Sequence, residues 1–317
     1  MIGADNPPVN TESPQLPGLP VPDLAASQVV VPAPGAGRGN WAGAPSAVLD
    51  PRDDSAFWLA YRMRRPLAEG RGVAVELAHY SEGRLTVVDR VERGLLGAES
   101  LERPALVRRP GGGWRLYLSA ATPGSKHWWI EAVDADEVSE LPKGRRTMVF
   151  PGSADLAVKD PVISVDDDGW HAWVCCHPLT EPGAEDRMWT AYSHSDDGLA
   201  WSEPVPVLRP DGSGWDARGR RVTAALRTPG DGLAVYYDGR ATAEENWYER
   251  TGLAFAPAGS GPAAALTVPG DSPVAQSPVG THALRYVSLV PLPQNGFRLF
   301  FEASRPDGAH DLMTYTP

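Results

Sequence analysis

Apolar positions along this chain fall in short runs broken by Asp-, Gly- and Pro-containing turns, and no stretch repeats at the helical period. The stretch from Lys159 to Pro204 shows the unit. PVISV meets the turn DDDG, WHAWVCC follows, then a polar loop, MWTAYSHS, the turn DDG and PVPVL. Asp-Gly dipeptides between β-formers mark hairpins, so the unit reads as a four-stranded antiparallel meander. Such a sheet cannot bury both faces alone and must stack against copies of itself.

The copies are present. Anchoring the first strand at Pro161 aligns it with GAPSAVLD at Pro45, ERPALVRR at Pro104, RVTAALRT at Thr223 and RYVSLVPL at Val287, at intervals of 57 to 64 residues. Second runs (FWLAYR, WRLYLS, WHAWVCC, LAVYYDG, FRLFFEA) and third runs (VAVELAHYSEG, WWIEAVDADE, MWTAYSHSDDG, RTGLAFAPAG, DLMTYTP) keep the same order. The expectation is an all-β, five-bladed β-propeller of four-stranded blades. The blades run from Ala42 to Val91, Leu101 to Phe150, Val158 to Leu208, Arg221 to Val268, and Ala283 to the end. A two-sheet sandwich also uses short strands but does not demand the same triplet five times. The last blade ends after three runs, so SQVVVPA, residues 28–34, is expected to complete it and tie the ring together. Residues 1–24, Pro-rich and without periodicity, read as an arm, and 25–317 as one domain. Short helical segments are expected only in loops, as in ATAEENWYER from Ala241.

Composition sharpens this picture at a few points. With 33 Gly, 32 Pro and 11 Trp among 317 residues, the chain suits turn-rich sheets with aromatic packing between them. A net charge of −11 speaks against nucleic acid or an anionic membrane surface as partner. No run reaches membrane-span length, and the N-terminus lacks a signal-peptide pattern, so the expected location is cytoplasmic. Cys175 and Cys176 are neighbours on one strand and are expected to be reduced packing residues. The turns at 166–169 and 195–198 need no calcium to explain them, and no zinc spacing, phosphate loop or nucleophile elbow is found. Neither cofactor nor metal is expected.

The meander also predicts where chemistry sits. First-strand starts, second-strand ends and the loops after the second strands lie at one end of each blade, and so converge on one axial funnel. Those places supply Trp41, Glu102, Arg103, Lys159, Asp160, Arg221, Arg285 and Tyr286 from strand starts. Second-strand ends supply Arg62, His177, Asp238, Arg240 and Glu302, and the loops supply His127 with Trp128, Glu244, Glu245 and His310. Indoles stack on sugar rings, carboxylates and guanidiniums bind hydroxyls, and clustered arginines favour an anion, so the expected partner is a sugar-like, anionic small molecule.

The repeats KDPVISVDDDGWHAWV, YSHSDDGLAWSEP and YYDGRATAEENWYERTGLA resemble the five-bladed propeller glycosidases, the arabinanases and xylosidases of glycoside hydrolase family 43 and the invertase-like enzymes. That resemblance implies catalytic carboxylates at first-strand starts, often just before a proline. Asp160 in KDP fits this pattern, and Glu102 in ERP stands one residue further from its proline. Blade one carries Ala44, and blade four Val222 or Thr223, where the resemblance implies acids. The expected activity is glycoside hydrolysis by carboxylates. Asp160 leads, Glu102 and Asp238 partner it, His177 carries protons, and the remaining funnel residues bind substrate. Two alternatives stand beside it: a non-hydrolytic biosynthetic enzyme of lyase, cyclase or transferase type, and a binding propeller without turnover.

Overall fold

A computed structural model describes residues 19–317. Most of the predicted N-terminal arm therefore lies outside the described residues. After β1 (Gln28–Val31) come five antiparallel meanders. The first is β2 (Trp41–Asp50), β3 (Asp53–Arg64), β4 (Gly72–Ser81) and β5 (Arg84–Glu92). The second is β6 (Ala105–Arg108), β7 (Trp114–Ala121), β8 (Trp128–Ala135) and β9 (Arg145–Phe150). The third is β10 (Leu156–Asp166), β11 (Gly169–Pro178), β12 (Trp189–Ser195) and β13 (Val205–Leu208). The fourth is β14 (Gly219–Thr228), β15 (Gly232–Arg240) and β16 (Arg250–Ala256), and the fifth is β17 (Leu284–Pro291), β18 (Phe297–Ser304) and β19 (His310–Tyr315).

The fourth meander departs from the expected four strands. Its outer edge is covered only by isolated bridges at Thr267 and Ala275, because the chain after Ala256 is rich in Pro and Gly and cannot sustain a ladder. β1 pairs antiparallel with β19, Gln28 opposite Thr314. A single parallel bridge, His310 to Trp41, joins the fifth meander to the first in one eight-stranded sheet. The stretch from Ala241 forms turns rather than a helix.

Hairpin turns behave as their residues dictate. Gly169 closes the β10–β11 turn at φ +120, where a Cβ would meet His194 Nε2 at 2.8 Å, so only glycine fits. The cores lie between the sheets, as the repeat requires. Leu77 packs with Leu116 between meanders one and two, Tyr117 with Val174 between two and three, and Trp173 with Tyr237 between three and four. Tyr236 joins Phe301 between four and five, and Phe300 joins Phe57 and Tyr80 between five and one. Each fully buried large apolar side chain contributes about 1.5–3 kcal/mol, so these interfaces fix the mutual tilt of the sheets.

Candidate active site

Sheet register aims the first-strand starts. β2, β10, β14 and β17 each slip against their partner strands, between Gly43 and Ser46, Lys159 and Val162, Val222 and Ala224, and Arg285 and Ser288. Within three of these bulges a residue other than glycine takes the left-handed conformation: Ala44 at φ 50, Asp160 at 52 and Tyr286 at 56. Bulges re-aim side chains and gather near functional sites, and each such residue costs about 1–3 kcal/mol. The position where the resemblance implied an acid in the first meander keeps this strained backbone but carries only a methyl group.

Asp160 is fully buried. It accepts Arg221 Nη1 at 2.9 Å and the Arg103 main-chain N–H at 3.1 Å, with Lys159 Nζ 3.5 Å away. Arg221 reaches Asp238 with Nη2 at 2.6 Å. The pairing continues as an alternating chain. Arg64 and Arg62 hold Glu102, and Arg62 also reaches Glu302 at 2.8 Å. Arg285 joins Glu302 at 2.8 Å to Glu249 at 2.5 Å, and Arg240 holds Glu249 at 2.6 Å. The Tyr286 ring lies beneath this lattice, with the guanidinium carbons of Arg221 and Arg285 at 4.0 and 5.1 Å from its centre. Trp41 is buried behind it, stacked on His310 at 4.6 Å and covered by Arg64 and Arg285.

These neighbours set the protonation states. Burial pushes every one of these carboxyls up, yet the facing guanidiniums win for Glu102, Glu302 and Glu249, and Lys159 with Arg221 wins for Asp160. All four are held below their ordinary range. Asp238 goes the other way, to about 6, because burial outweighs the pull of Arg221 and Glu249 adds repulsion.

Above the lattice a cavity of about 370 Å³ opens, lined by Glu102, Lys159, His177, Trp128, Trp247 and Asn246, among others. A chamber of about 30 Å³ forms its floor, sharing Glu102, Lys159, His177, Asn246 and Trp247 and adding Arg62, Arg221, Arg240, Glu249, Arg285 and Tyr286. Of the strand starts and second-strand ends expected to converge, Glu102, Arg62, His177, Arg221, Arg240, Arg285 and Tyr286 line these two spaces. Several individual expectations are corrected. Asp160, Asp238 and Glu302 line neither space: the bulge after Lys159 turns Asp160 into the arginine lattice, and Asp238 and Glu302, opposite Arg221 and Arg285 in regular register, are taken up by those arginines. Trp41 is covered. His127 turns away, its Nδ1 on Thr122 Oγ1 at 2.8 Å and its ring stacked on Trp129. Arg103 lines a different cavity, at the other end of the first strands. Trp128 reaches the funnel, but its ring carries Lys159 Nζ at 4.9 Å and Arg71 at 5.6 Å, so it positions cations rather than presenting a bare face.

His177 is held as a neutral imidazole, its tautomer set by its hydrogen bonds. Its Nδ1 donates to the Glu185 carbonyl at 2.7 Å, so Nε2 is left to accept from the Cys175 thiol at 3.3 Å. Burial and the nearby Lys159 push its pKa down to about 3. Both cysteines are free and buried.

Sequence reasoning missed Trp247, Asn246 and Glu249, which belong to a stretch without periodicity. Trp247 stands at φ 81, far outside the range a bulky residue prefers, with Arg64 5.0 Å from its ring centre. Such an outlier is visible only in three dimensions. Arg71 and Lys126 also reach the mouth. Among the described residues no group of His, Cys, Asp and Glu is arranged to hold a metal ion.

No protein-family model matches the chain, and no curated protein matches it by sequence. Solved structures do match. An α-L-arabinofuranosidase from Lactobacillus brevis aligns with TM-score 0.65 at 13% identity, over 86% of this chain and 90% of its own. The GH43_1 enzyme from Xanthomonas citri, solved with xylotriose, aligns with TM-score 0.62 at 14% identity, over 92% and 91%. An N-acetylgalactosamine deacetylase from F. plautii, in complex with blood group B trisaccharide, aligns with TM-score 0.65 at 12% identity, over 92% and 96%. At these identities the likeness is one of fold, that of the glycosidase-like propellers which the sequence resembles.

Proposed function

We propose that the meanders are five blades of a closed ring, and that the funnel at its axis takes a sugar-like molecule carrying an anionic group, on which Glu102 acts. The apolar cores between each meander and the next, including fifth and first, support the ring. So does β1 on the edge of β19.

The observation that carries the functional reading is the make-up of the funnel wall. An ionised Glu102 stands there with Lys159, Lys126 and Arg71; of the other acids on the wall Asp186 is held by Arg218 and Glu185 accepts the Gly183 N–H, whereas the carboxyl whose pKa is raised, Asp238, does not line it. Hydrolysis of an ordinary glycoside needs a protonated acid at the leaving oxygen. A bond from a sugar to a phosphate does not, since the leaving group departs as a stable anion that lysine and arginine can hold. An ionised carboxylate suits the other half of that reaction, stabilising positive charge that builds at the anomeric carbon. The reading is thus a carbohydrate-acting enzyme on a glycosidase-like scaffold, with a glycosyl phosphate or similar anionic sugar as substrate. The solved neighbours, named for carbohydrate substrates and ligands, support the carbohydrate half of it.

The test is turnover of a panel of sugar 1-phosphates and neutral nitrophenyl glycosides by wild type and Glu102→Gln. Cleavage of one of the phosphates, reduced at least about a hundredfold by the substitution, is expected from the loss of a single charge-stabilising group. Cleavage confined to neutral glycosides would refute the reading. A second reading, recognition without turnover, rests on the low pKa values of Glu102 and His177, which make both weak bases. It is favoured if anionic sugars bind and none is cleaved.

A further inference from the structure

The first strands also enclose a second space. A cavity of about 280 Å³ is lined by Ser46 of β2, Leu106 of β6, Val162 of β10, Thr223 of β14 and Ser288 of β17, with Arg103 among its walls. The funnel is bordered by earlier residues of the same chain segments, Glu102 and Lys159, so the two spaces lie at opposite ends of one axis.

Arg103 differs from every other buried arginine described here. Arg62, Arg64, Arg115, Arg220, Arg221, Arg240 and Arg285 each have a carboxylate within 4 Å, and Arg103 has none among the described residues. Its side chain is 3% exposed, it donates only from Nη2, to the Thr223 carbonyl at 2.5 Å, and its Nε and Nη1 have no partner. Burial pulls the guanidinium down to about 10 even though Asp160 and Asp238 attract it. Burying a charge of this kind without a carboxylate partner is strongly unfavourable. Two hydroxyls on the same wall are also free to donate. Ser46 Oγ accepts the Leu106 N–H at 2.9 Å and Ser288 Oγ accepts the Ala47 N–H at 3.0 Å, and neither O–H has an acceptor among the described residues. The wall therefore gathers donors and a cation with no acid.

We propose that this cavity is a binding site for a small anion, a halide or a phosphate- or carboxylate-sized oxyanion, seated on Arg103 with Ser46 and Ser288 as further donors. The site is separate from the funnel and holds whether or not the funnel reading stands. An occupant completes the pairing of charges along the axis and so stabilises the ring.

The experiment uses sodium bromide and inorganic phosphate as probes on the full chain. Crystals soaked in bromide are expected to show an anomalous peak within hydrogen-bond distance of the Arg103 guanidinium. In solution at constant ionic strength, the unfolding midpoint should climb with the logarithm of phosphate or bromide concentration. Arg103→Met should weaken that dependence about tenfold or more in concentration, the range for a hydrogen bond to a charged group. Arg103→Lys keeps the charge but loses the fork, and should retain part of the dependence. Were Arg103→Met to fail to fold, the bromide peak and the lysine variant decide the matter. Water alone in the cavity of a soaked crystal, or equal midpoint shifts in wild type and variants, would overturn the proposal. A peak found only in the funnel would overturn it as well.

Discussion

The funnel and the second cavity are both bordered by residues of the first-strand segments and handle charge in opposite ways. At the funnel end each buried acid is held by at least one cation, and several arginines serve two acids, as Arg62 does for Glu102 and Glu302. In the second cavity one buried guanidinium, Arg103, stands among apolar and hydroxyl groups without a carboxylate within 4 Å, and the exposed Arg108 lines the same space. The difference teaches what the funnel lattice is for. Pairing a charge inside a protein offsets its desolvation but leaves it little capacity for acid–base work, so the lattice is a rigid, preorganised floor rather than a set of titrating catalysts. The proposed function then rests on the few groups that face open space, Glu102 and Lys159 above all.

The contrast can be broken most severely at Glu302. Glu302→Gln leaves Arg62 and Arg285 each short of an acceptor charge, beside His310, whose Nδ1 donates to Glu302 at 2.7 Å. A loss of roughly 3–5 kcal/mol is expected, the range for breaking a buried pair, read from urea unfolding. A loss under about 1 kcal/mol would mean the lattice is not a cooperative unit.

Asp238 gives the next effect and fixes its sign. A carboxyl raised from 3.8 to about 6 binds its proton more tightly in the folded state. Its contribution is therefore favourable at low pH and is lost as pH rises through about 6. Asp238→Asn removes that loss, and two donors it now satisfies, Arg221 Nη2 and the Tyr286 N–H, can still find the amide oxygen. The variant should gain on wild type by up to a few kcal/mol above pH ~6, with the gain fading toward pH ~4. Thermal unfolding across that range checks it, and a difference that does not vary with pH would show that Asp238 is ionised throughout.

The smallest change is expected at the unpaired end. In buffer free of small anions, Arg103→Met should leave the protein as stable as wild type or about 1 kcal/mol more so, because it removes a charge that has no partner. Destabilisation by several kcal/mol, measured the same way, would erase the contrast between the two ends.

The period was plain in the sequence because every meander repeats three apolar runs in one order, from GAPSAVLD to DLMTYTP. The funnel membership of Glu102, Arg221, Arg285 and Tyr286 followed from meander geometry alone. What the chain did not disclose was facing. Lys159 and Asp160 are neighbours in KDP, yet the lysine lines the funnel and the aspartate lies behind it, a choice made by the bulge between Lys159 and Val162. One residue of slip reverses a strand's faces, and no local residue type announces that slip here. Trp247 was hidden for another reason. Its loop has no periodicity, and its left-handed backbone is held by packing against residues distant in sequence.

Calorimetric titration with a sugar 1-phosphate and with the corresponding free sugar decides whether the funnel selects an anionic sugar. Wild type is expected to bind the phosphate at least about tenfold more tightly, as charge-assisted contacts imply, with most of that preference gone in Lys159→Met. Equal affinity for the two sugars, or a preference for the phosphate that Lys159→Met leaves untouched, would contradict it.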